Sequence, residues 1–572
     1  MAPEVEDRTE IEWQLEAQDL RPVLRWIENV TTADADAGIT ITRGPTVNQV
    51  DTYLDTKDRR LDRAGYSVRL RRSRLASEAT LKSLDGIGPD ALRIRLELTE
   101  QVERDGPEAV ALAPGPVGER VRALIGSRRL VPLFDLQTRR RTFPLATGDA
   151  PSGELLLDET AIREPGGGLV SRLRRVEVEV PEAALGTVGP LVDDLRRSCG
   201  LPPAMLSKYE AGLAATGNQR VELGSFGPMT IEPDDTIGQV ALATLRRHFT
   251  RLLAQEAGTR LGDDIEELHD MRVASRRLRA AVALFRDYLP AEAERLRPEL
   301  VWVGQTIGAV RDLDVQIADL DELAVDLPDS DRAALVRLRT LLLGERAQAR
   351  AEMLQALDSP RYERFVRRFG AMLRSRSGTR TGPARAVAPE LVERRHRALR
   401  KAMRQVAAEP DPEAYHRLRI VAKRFRYALE FLADVYPGET ARLVRRTVAL
   451  QDLLGAYQDA NVAIARLRAL ASEHAGELGP DTVFVMGEIA GSGRWAMDRL
   501  GRQVARSYAR LDGKAWKQLR KKMNAALPPQ APARSSRLPE QSPAGCSTPA
   551  EAGGDSTNGT DNAVTTRLAH LG

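Results

Sequence analysis

Residues 267–290 read ELHDMRVASRRLRAAVALFRDYLP, and residues 414–437 read AYHRLRIVAKRFRYALEFLADVYP. Laid over one another at an offset of 147 positions (416 − 269), His269 meets His416 and Arg272 meets Arg419. Arg276 then meets Lys423, Arg277 meets Arg424, Arg279 meets Arg426, and Pro290 meets Pro437. The same offset runs on without a gap and pairs Gly308 with Gly455 and Asp312 with Asp459. A match of this length and chemistry predicts a duplicated helical bundle with pseudo-two-fold symmetry.

On a helix, His269, Arg272, Arg276 and Arg279 fall within an arc of roughly 80°. Met271, Ala274, Leu278 and Phe285 take the opposite side. His416, Arg419, Lys423 and Arg426 repeat the basic arc, with Leu418, Val421, Phe425 and Leu432 opposite. Each helix thus has an apolar face for a bundle and a basic face for something else. Two such faces brought together by the pseudo-symmetry would line a groove with Arg, Lys and His, which repels itself unless an anion fills it. Arg forms forked contacts with phosphate oxygens and Lys acts as a point charge, so a linear polyanion fits. A single arginine-rich helix is ordinarily a solvated face. Histidine recurring at one repeat position, in a chain with six histidines, weighs against that here.

Outward from this pair, residues 236–526 carry long Leu/Ala/Arg patterns of helical period and read as all-α. Residues 374–389 (RSRSGTRTGPARAVAP) form a basic connection inside that region. Residues 217–235 read as a linker rich in Gly and Pro. Residues 527–572, rich in Pro, Ser, Ala, Gly and Thr, lack apolar periodicity and read as a disordered tail.

Residues 1–216 are different. Segments 10–15, 50–54, 66–72, 79–83, 92–101, 136–145, 153–162 and 174–180 read as strands, several alternating with a period of two. Helical punctuation falls at 19–29, 116–125 and 190–199. Alternation places Glu10, Glu12 and Gln14 on one strand face, Arg69 and Arg71 on another, and Arg93, Arg95 and Glu97 on a third. Lys82 is central in ATLKSL, Arg139 and Arg141 form a further pair, and Glu177 and Glu179 another. In an open sheet these would be the wet face. In a closed barrel they would all point inward, giving Arg/Lys walls for phosphate and a carboxylate cluster for Mg²⁺ or Mn²⁺.

Composition bounds the rest. The 572 residues call for more than one core, and 42% hydrophobic with 29% charged residues suits a globular protein. The net charge is +4 and the pI about 9.0. The two cysteines, Cys199 and Cys546, exclude a disulfide framework and zinc spacing. The start, MAPEVEDRTE, has no apolar leader pattern, and no stretch is apolar enough to span a bilayer. A cytoplasmic location is the expectation.

Two resemblances sharpen these readings. Residues 236–520 resemble the CHAD domain, a duplicated helical bundle with conserved histidines. The resemblance implies polyphosphate binding by His269, Arg272, Arg276, Arg279, His416, Arg419, Lys423 and Arg426. Residues 8–215 are similar to the CYTH family of triphosphate tunnel enzymes, typified by class IV adenylate cyclase and thiamine triphosphatase. The landmarks are EIEWQ, VDTYLDT, GYSVRLRR, ATLKSL, RIRLELTE, GELLLDET, RRVEVEV and LSKYEAG, in order. That resemblance implies a tunnel of eight antiparallel strands, and metal ligation by Glu10, Glu12 and Glu179 with Glu97 and Glu177 as further candidates. It implies phosphate contacts from Arg69, Arg71, Lys82, Arg93, Arg95, Arg139, Arg141 and Lys208, and an acidic position at Asp158. Glu10, Glu12 and Lys82 would carry catalysis.

The family opens with Glu-x-Glu-x-Lys, and here Gln14 stands at the Lys position. An amide keeps hydrogen bonding but loses the charge that stabilises phosphate in the transition state. Three readings follow: polyphosphate binding joined to metal-dependent hydrolysis of inorganic triphosphate, a binding module that targets polyphosphate granules, or a nucleic-acid scaffold. Aromatic residues for stacking bases are sparse, with Phe425 and Tyr427 near the basic arc and little else.

Overall fold

Nine strands form the N-terminal half: β1 (Arg8–Glu16), β2 (Ile39–Ile41), β3 (Thr46–Thr56), β4 (Tyr66–Arg72), β5 (Ser77–Ser83), β6 (Leu92–Val102), β7 (Leu130–Thr147), β8 (Ala150–Arg163) and β9 (Leu169–Glu179). The structure is a computed structural model and describes residues 8–33, 38–72, 77–84, 92–103, 106–218, 226–232, 234–325, 327–374, 382–436 and 438–525. The expected tail from Leu527 lies outside the described residues, as does most of the basic connection before Gly382.

Hydrogen bonding runs β7-β3-β4-β5-β6-β1-β9-β8 and returns from β8 to β7. Eight antiparallel strands therefore close a barrel, leaving no free edge. The short β2 pairs with the last residues of β7, beyond the stretch that pairs with β3. Every strand segment read from the sequence falls on one of the eight barrel strands, the last of them, 174–180, running one residue past β9. The strand β2 and the short helices Arg60–Arg63, Pro107–Leu112, Glu182–Ala184 and Lys208–Ala215 were not legible there.

The alternation decides what faces where. On one side Ile11, Trp13, Leu15, Leu155, Leu157, Val176 and Val178 point outward and pack under the helices Arg21–Ala33 and Leu185–Cys199. On the other, Val68, Leu70, Ala79, Leu81 and Leu98 pack under the helices Pro107–Leu112 and Pro116–Ile125. Both outer walls are thus covered by apolar contacts, and the polar residues of the same strands are left to the interior.

The C-terminal half is helical, and its duplication is visible element by element. Helix Ile237–Ala254 has its counterpart in Ala384–Ala408, and Ile265–Leu284 in Pro412–Phe431. Arg297–Val325 corresponds to Glu439–Glu473, and Asp329–Asp358 to Ala475–Leu511. Equivalent side chains fill one core: Met271 and Leu418, Leu278 and Phe425, Ala281 and Ala428, and Phe285 and Leu432 are all buried in it. Each such Leu or Phe contributes roughly 1.5–3 kcal/mol by leaving water. Residues before the first helix join that core too, since Phe226 packs edge-on against Phe249 at 5.0 Å. Among the described residues no helix is long and apolar enough to cross a membrane.

Candidate functional site

Closing the barrel turns the polar strand faces into the wall of a cavity of about 860 Å³. Glu10, Glu12, Gln14, Arg69, Arg71, Lys82, Arg95, Glu97, Arg140, Glu177, Glu179 and Lys208 all line it. Strand register sets the neighbours. Glu10 stands opposite Arg95, Lys82 opposite Glu97, and Arg140 opposite Asp158. The ion pairs follow: the Lys82 ammonium donates to Glu10 at 2.5 Å and lies 3.2 Å from Glu97. Arg95 donates to both Glu10 and Glu12. Arg71 forks onto Asp51 at 2.7 and 3.1 Å, and Arg69 lies between Asp51 and Glu97.

At the far wall Arg140 forks onto Asp158 at 3.0 and 2.7 Å and also donates to Glu177 at 3.0 Å. Lys208, the first residue of a helix opened by the Ser207–Glu210 capping box, donates to Asp158 at 2.5 Å and Glu177 at 2.7 Å. Tyr209, beside it, lines the same end of the cavity.

One group of acids converges on itself, with Lys82 and Arg95 on only two of its members. The register sets Glu12 directly across from Glu179, with Glu10 two residues along β1. One carboxylate oxygen from each of Glu10, Glu12 and Glu179 lies within 4.8 Å of the others. Like charges directly opposite on a sheet are unfavourable. Burial, and then the Glu10 and Glu177 carboxylates, push the Glu12 carboxyl up to about 8. Burial and Glu10 also raise Glu179. Glu10 behaves oppositely: burial would raise it, but Lys82 and Arg95 prevail and hold it at about 2. Three converging hard oxygen donors, two of them kept proton-prone by burial and by their neighbours, suit a hard divalent cation. Glu97 and Glu177 lie outside this trio; Glu97 pairs with Arg69 and Lys82, and Glu177 Oε2 with Arg140 and Lys208.

Three expected phosphate contacts are placed elsewhere. Arg139 is exposed and Arg141 pairs with Glu159 on the outer face, so neither lines the cavity. Arg140, between them, is the one that points in, because Phe143 and Leu145 two and four positions beyond Arg141 are the outward, helix-covered positions. Arg93 is buried past the cavity end and donates to the Ala204 carbonyl. Gln14 does line the cavity; its Nε2 donates to Glu12 at 2.7 Å, and its buried Oε1 has no partner.

In the helical half, the basic helices Ile265–Leu284 and Pro412–Phe431 lie against one another. The contacts repeat with the sequence. Arg272 donates to Asp312 at 3.0 Å, and Arg419 lies 4.0 Å from Asp459, the equivalent pair. His269 and His416 each bury an Nδ1 without a partner. Across the pseudo-axis Arg276 faces Arg419 and Lys423. Burial, and then Arg276, Arg419 and Arg426, lower the Lys423 ammonium to about 7. Arg276 and Lys423 have no ion pair among the described residues, and the Nε atoms of Arg276, Arg419 and Arg426 are buried without partners. Glu430 is shared by Arg277 at 3.1 Å and Arg426 at 3.4 Å, a partner the sequence did not single out. Phe425 and Tyr427 are buried, so neither offers a free ring for a base to stack on.

The comparisons with known proteins divide along the same line. A model of the CYTH domain matches residues 28–187, and a model of the CHAD domain matches residues 243–468. No curated protein matches. Among solved structures, the CHAD domain from the plant Ricinus communis is 26% identical, covering 53% of this chain and 97% of its own, with a TM-score of 0.38. PptA from Streptomyces chartreusis is 22% identical, covering 47% of this chain and 98% of its own, with a TM-score of 0.41. An adenylyl cyclase-like protein from Hippeastrum, described as having a dominant triphosphatase activity, is 20% identical. It covers 36% of this chain and 95% of its own, with a TM-score of 0.28.

Proposed function

We propose that this chain, in which a CYTH domain is followed by a CHAD domain, binds inorganic polyphosphate on its paired basic helices and holds a triphosphate unit in the barrel. The observation that carries the reading is the gathering of Arg276, Arg419 and Lys423 across the repeat axis, with Asp459 alone among the acids acting against their mutual repulsion. A repeating −1 charge along a flexible chain relieves that repulsion all along the groove, and the buried, unpartnered Nε–H groups gain acceptors. A nucleic acid would bring the same charges, but the buried Phe425 and Tyr427 leave its bases nothing to stack on.

In the barrel, Arg69, Arg71, Arg140 and Lys208 would bind and orient the phosphate oxygens. Their present carboxylate partners fix the side chains in position before the ligand arrives. Lys82 and Arg95, ion-paired with Glu10 of the acidic trio, would neutralise charge gathering on the leaving side. Glu10, Glu12 and Glu179 would hold Mg²⁺ or Mn²⁺, which supplies Lewis acidity and lowers the pKa of water when bound. The reaction class is hydrolysis of inorganic triphosphate.

A second reading rests on Gln14. Its amide is already committed to Glu12, where the family has an ammonium, and this favours a barrel that binds a phosphate chain without turnover. Phosphate release from triphosphate with Mg²⁺ or Mn²⁺ separates the two. Release by the native chain that disappears in Glu10→Gln/Glu12→Gln supports the enzyme. No release by the native chain, with activity gained by Gln14→Lys, supports the binding module. For the groove, Arg272→Ala/Arg276→Ala/Arg419→Ala/Lys423→Ala should abolish polyphosphate binding with the fold intact; native affinity in that variant removes the groove assignment.

A further inference from the structure

Trp495 lies 78% exposed and Phe484 65% exposed on the helix Ala475–Leu511. The chain has only 5 Trp and 10 Phe, and their ordinary place here is inside the core. With Asp481, Glu488, Arg499, Arg502 and Arg506 they fall within an arc of roughly 60° on that helix. All five charged residues are exposed, and none has an ion pair among the described residues. The sequence of this face is ordered: acids on the N-terminal side of Trp495, arginines on the C-terminal side. On the flank of the same face Gly487 leaves open space where a side chain would stand, and a Cβ at Gly491 would touch the Arg494 guanidinium at 3.8 Å.

We propose that this face is a self-association surface, on which a second copy of the chain docks with its own Ala475–Leu511 helix antiparallel. The charge order selects that partner and that direction. An antiparallel copy turned about a two-fold axis beside Trp495 sets Glu488 against Arg499 or Arg502 of the partner, and Asp481 against Arg506. The axis then makes the same contacts a second time. A parallel copy would set acid on acid and arginine on arginine. The two Trp495 rings meet near the axis, where a large aromatic at the centre of a patch carries most of the binding energy. The surface belongs to one repeat only: the position equivalent to Trp495 in the first copy is Gln348, and that equivalent to Phe484 is Arg337. The feature therefore does not follow from the duplicated architecture, and it is separate from the groove on helices Ile265–Leu284 and Pro412–Phe431.

Sedimentation velocity on the full chain tests this, with far-UV circular dichroism to show that each variant is folded. The native chain should be a dimer at about 50 µM, and Trp495→Ala should weaken dimerisation by more than about 10-fold. Reversing the acidic arm alone (Asp481→Lys/Glu488→Lys) or the basic arm alone (Arg499→Glu/Arg502→Glu/Arg506→Glu) should give monomers. Combining the two reversals in one chain restores complementarity and should restore the dimer. A native chain that stays monomeric at that concentration overturns the proposal. So does a folded combined variant that stays monomeric while the native chain dimerises, since antiparallel pairing requires the rescue.

Discussion

Glu12 and Glu179 face each other across two adjacent strands, and burial keeps both carboxyls above their ordinary range although Arg95 and Gln14 donate to Glu12. Arg140, on the other wall, is the contrasting case: a guanidinium over-supplied with acids, Asp158 and Glu177, and placed to meet a phosphate. Replacing it tests the wall directly. Arg140→Met should weaken triphosphate binding by roughly 10–100-fold, the worth of a charged forked contact of about 1.5–3 kcal/mol. Arg139→Met, one residue away on the outer face, should leave affinity unchanged within twofold. Calorimetric titration of the two variants decides it, and equal losses would mean that the register of β7 is not what sets the site. The sequence did not resolve this pair because residues 139–141 are three consecutive arginines flanked by Thr138 and Thr142. On β1 and β4 the apolar partners Ile11, Trp13, Val68 and Leu70 fix the parity. On β7 both parities carry apolar residues, Phe134 and Leu136 inside the closed end and Phe143 and Leu145 outside. Counting back from Phe143 alone would have found Arg140.

Two helices, each unremarkable as a basic surface, become a binding element when the duplication sets them face to face. The repeat was legible because offset and chemistry survived together: His with His, Arg with Arg or Lys, and Asp312 with Asp459. What the helix arcs could not supply was the distance across the axis, since Glu430 and the inward turn of Tyr427 depend on how the helices cross. The consequence lies in Lys423. Burial and three arginines hold it at about 7, against an ordinary value of 10.5, with Asp459 the one nearby acid acting the other way. Between those two values the folded chain binds fewer protons than the unfolded one. The stability of the free protein should therefore rise with pH across that window, as the cost of the charged Lys423 is lost. A polyanion reverses the balance by stabilising the ammonium, so polyphosphate binding near pH 8.5 should take up close to one proton. Binding enthalpies measured in two buffers of different ionisation enthalpy should differ for the native chain and coincide for Lys423→Arg, whose side chain never gives up its proton. Identical enthalpies in both buffers for the native chain would place Lys423 outside the groove.

At the scale of the molecule, barrel and helical bundle belong to one compact unit, and the joint between them is ionic at its centre. Arg60, on the short helix Arg60–Arg63 of the barrel half, is 8% exposed. Its guanidinium donates to the Ile125 carbonyl at 2.9 Å and lies 3.4 Å from Glu363 and 3.5 Å from Asp358 of the helical half. Arg128 also reaches Glu363, Arg120 bonds Asp263 at 2.7 Å, and Arg260 bonds Asp358 at 2.7 Å. Ala257 and Leu261 add apolar contact by packing on the core beneath the barrel. Gly126 closes the joint: its φ is +58°, and a Cβ there would stand 2.0 Å from a carboxylate oxygen of Asp358. None of this was legible in the sequence, which showed two domain patterns and a linker but no term that pairs residues across them. A partly buried ion network of this kind is destabilising to break, because the remaining charges keep their desolvation cost without their partner. Arg60→Ala should therefore loosen the joint by about 1–3 kcal/mol. The variant should turn one calorimetric unfolding transition into two, the barrel and the bundle melting separately. Gly126→Ala should act in the same direction through the steric clash and the strained φ, with no charge removed. If both variants unfold in a single transition at the native temperature, the two halves are held by the apolar contact of Ala257 and Leu261 and not by the arginines.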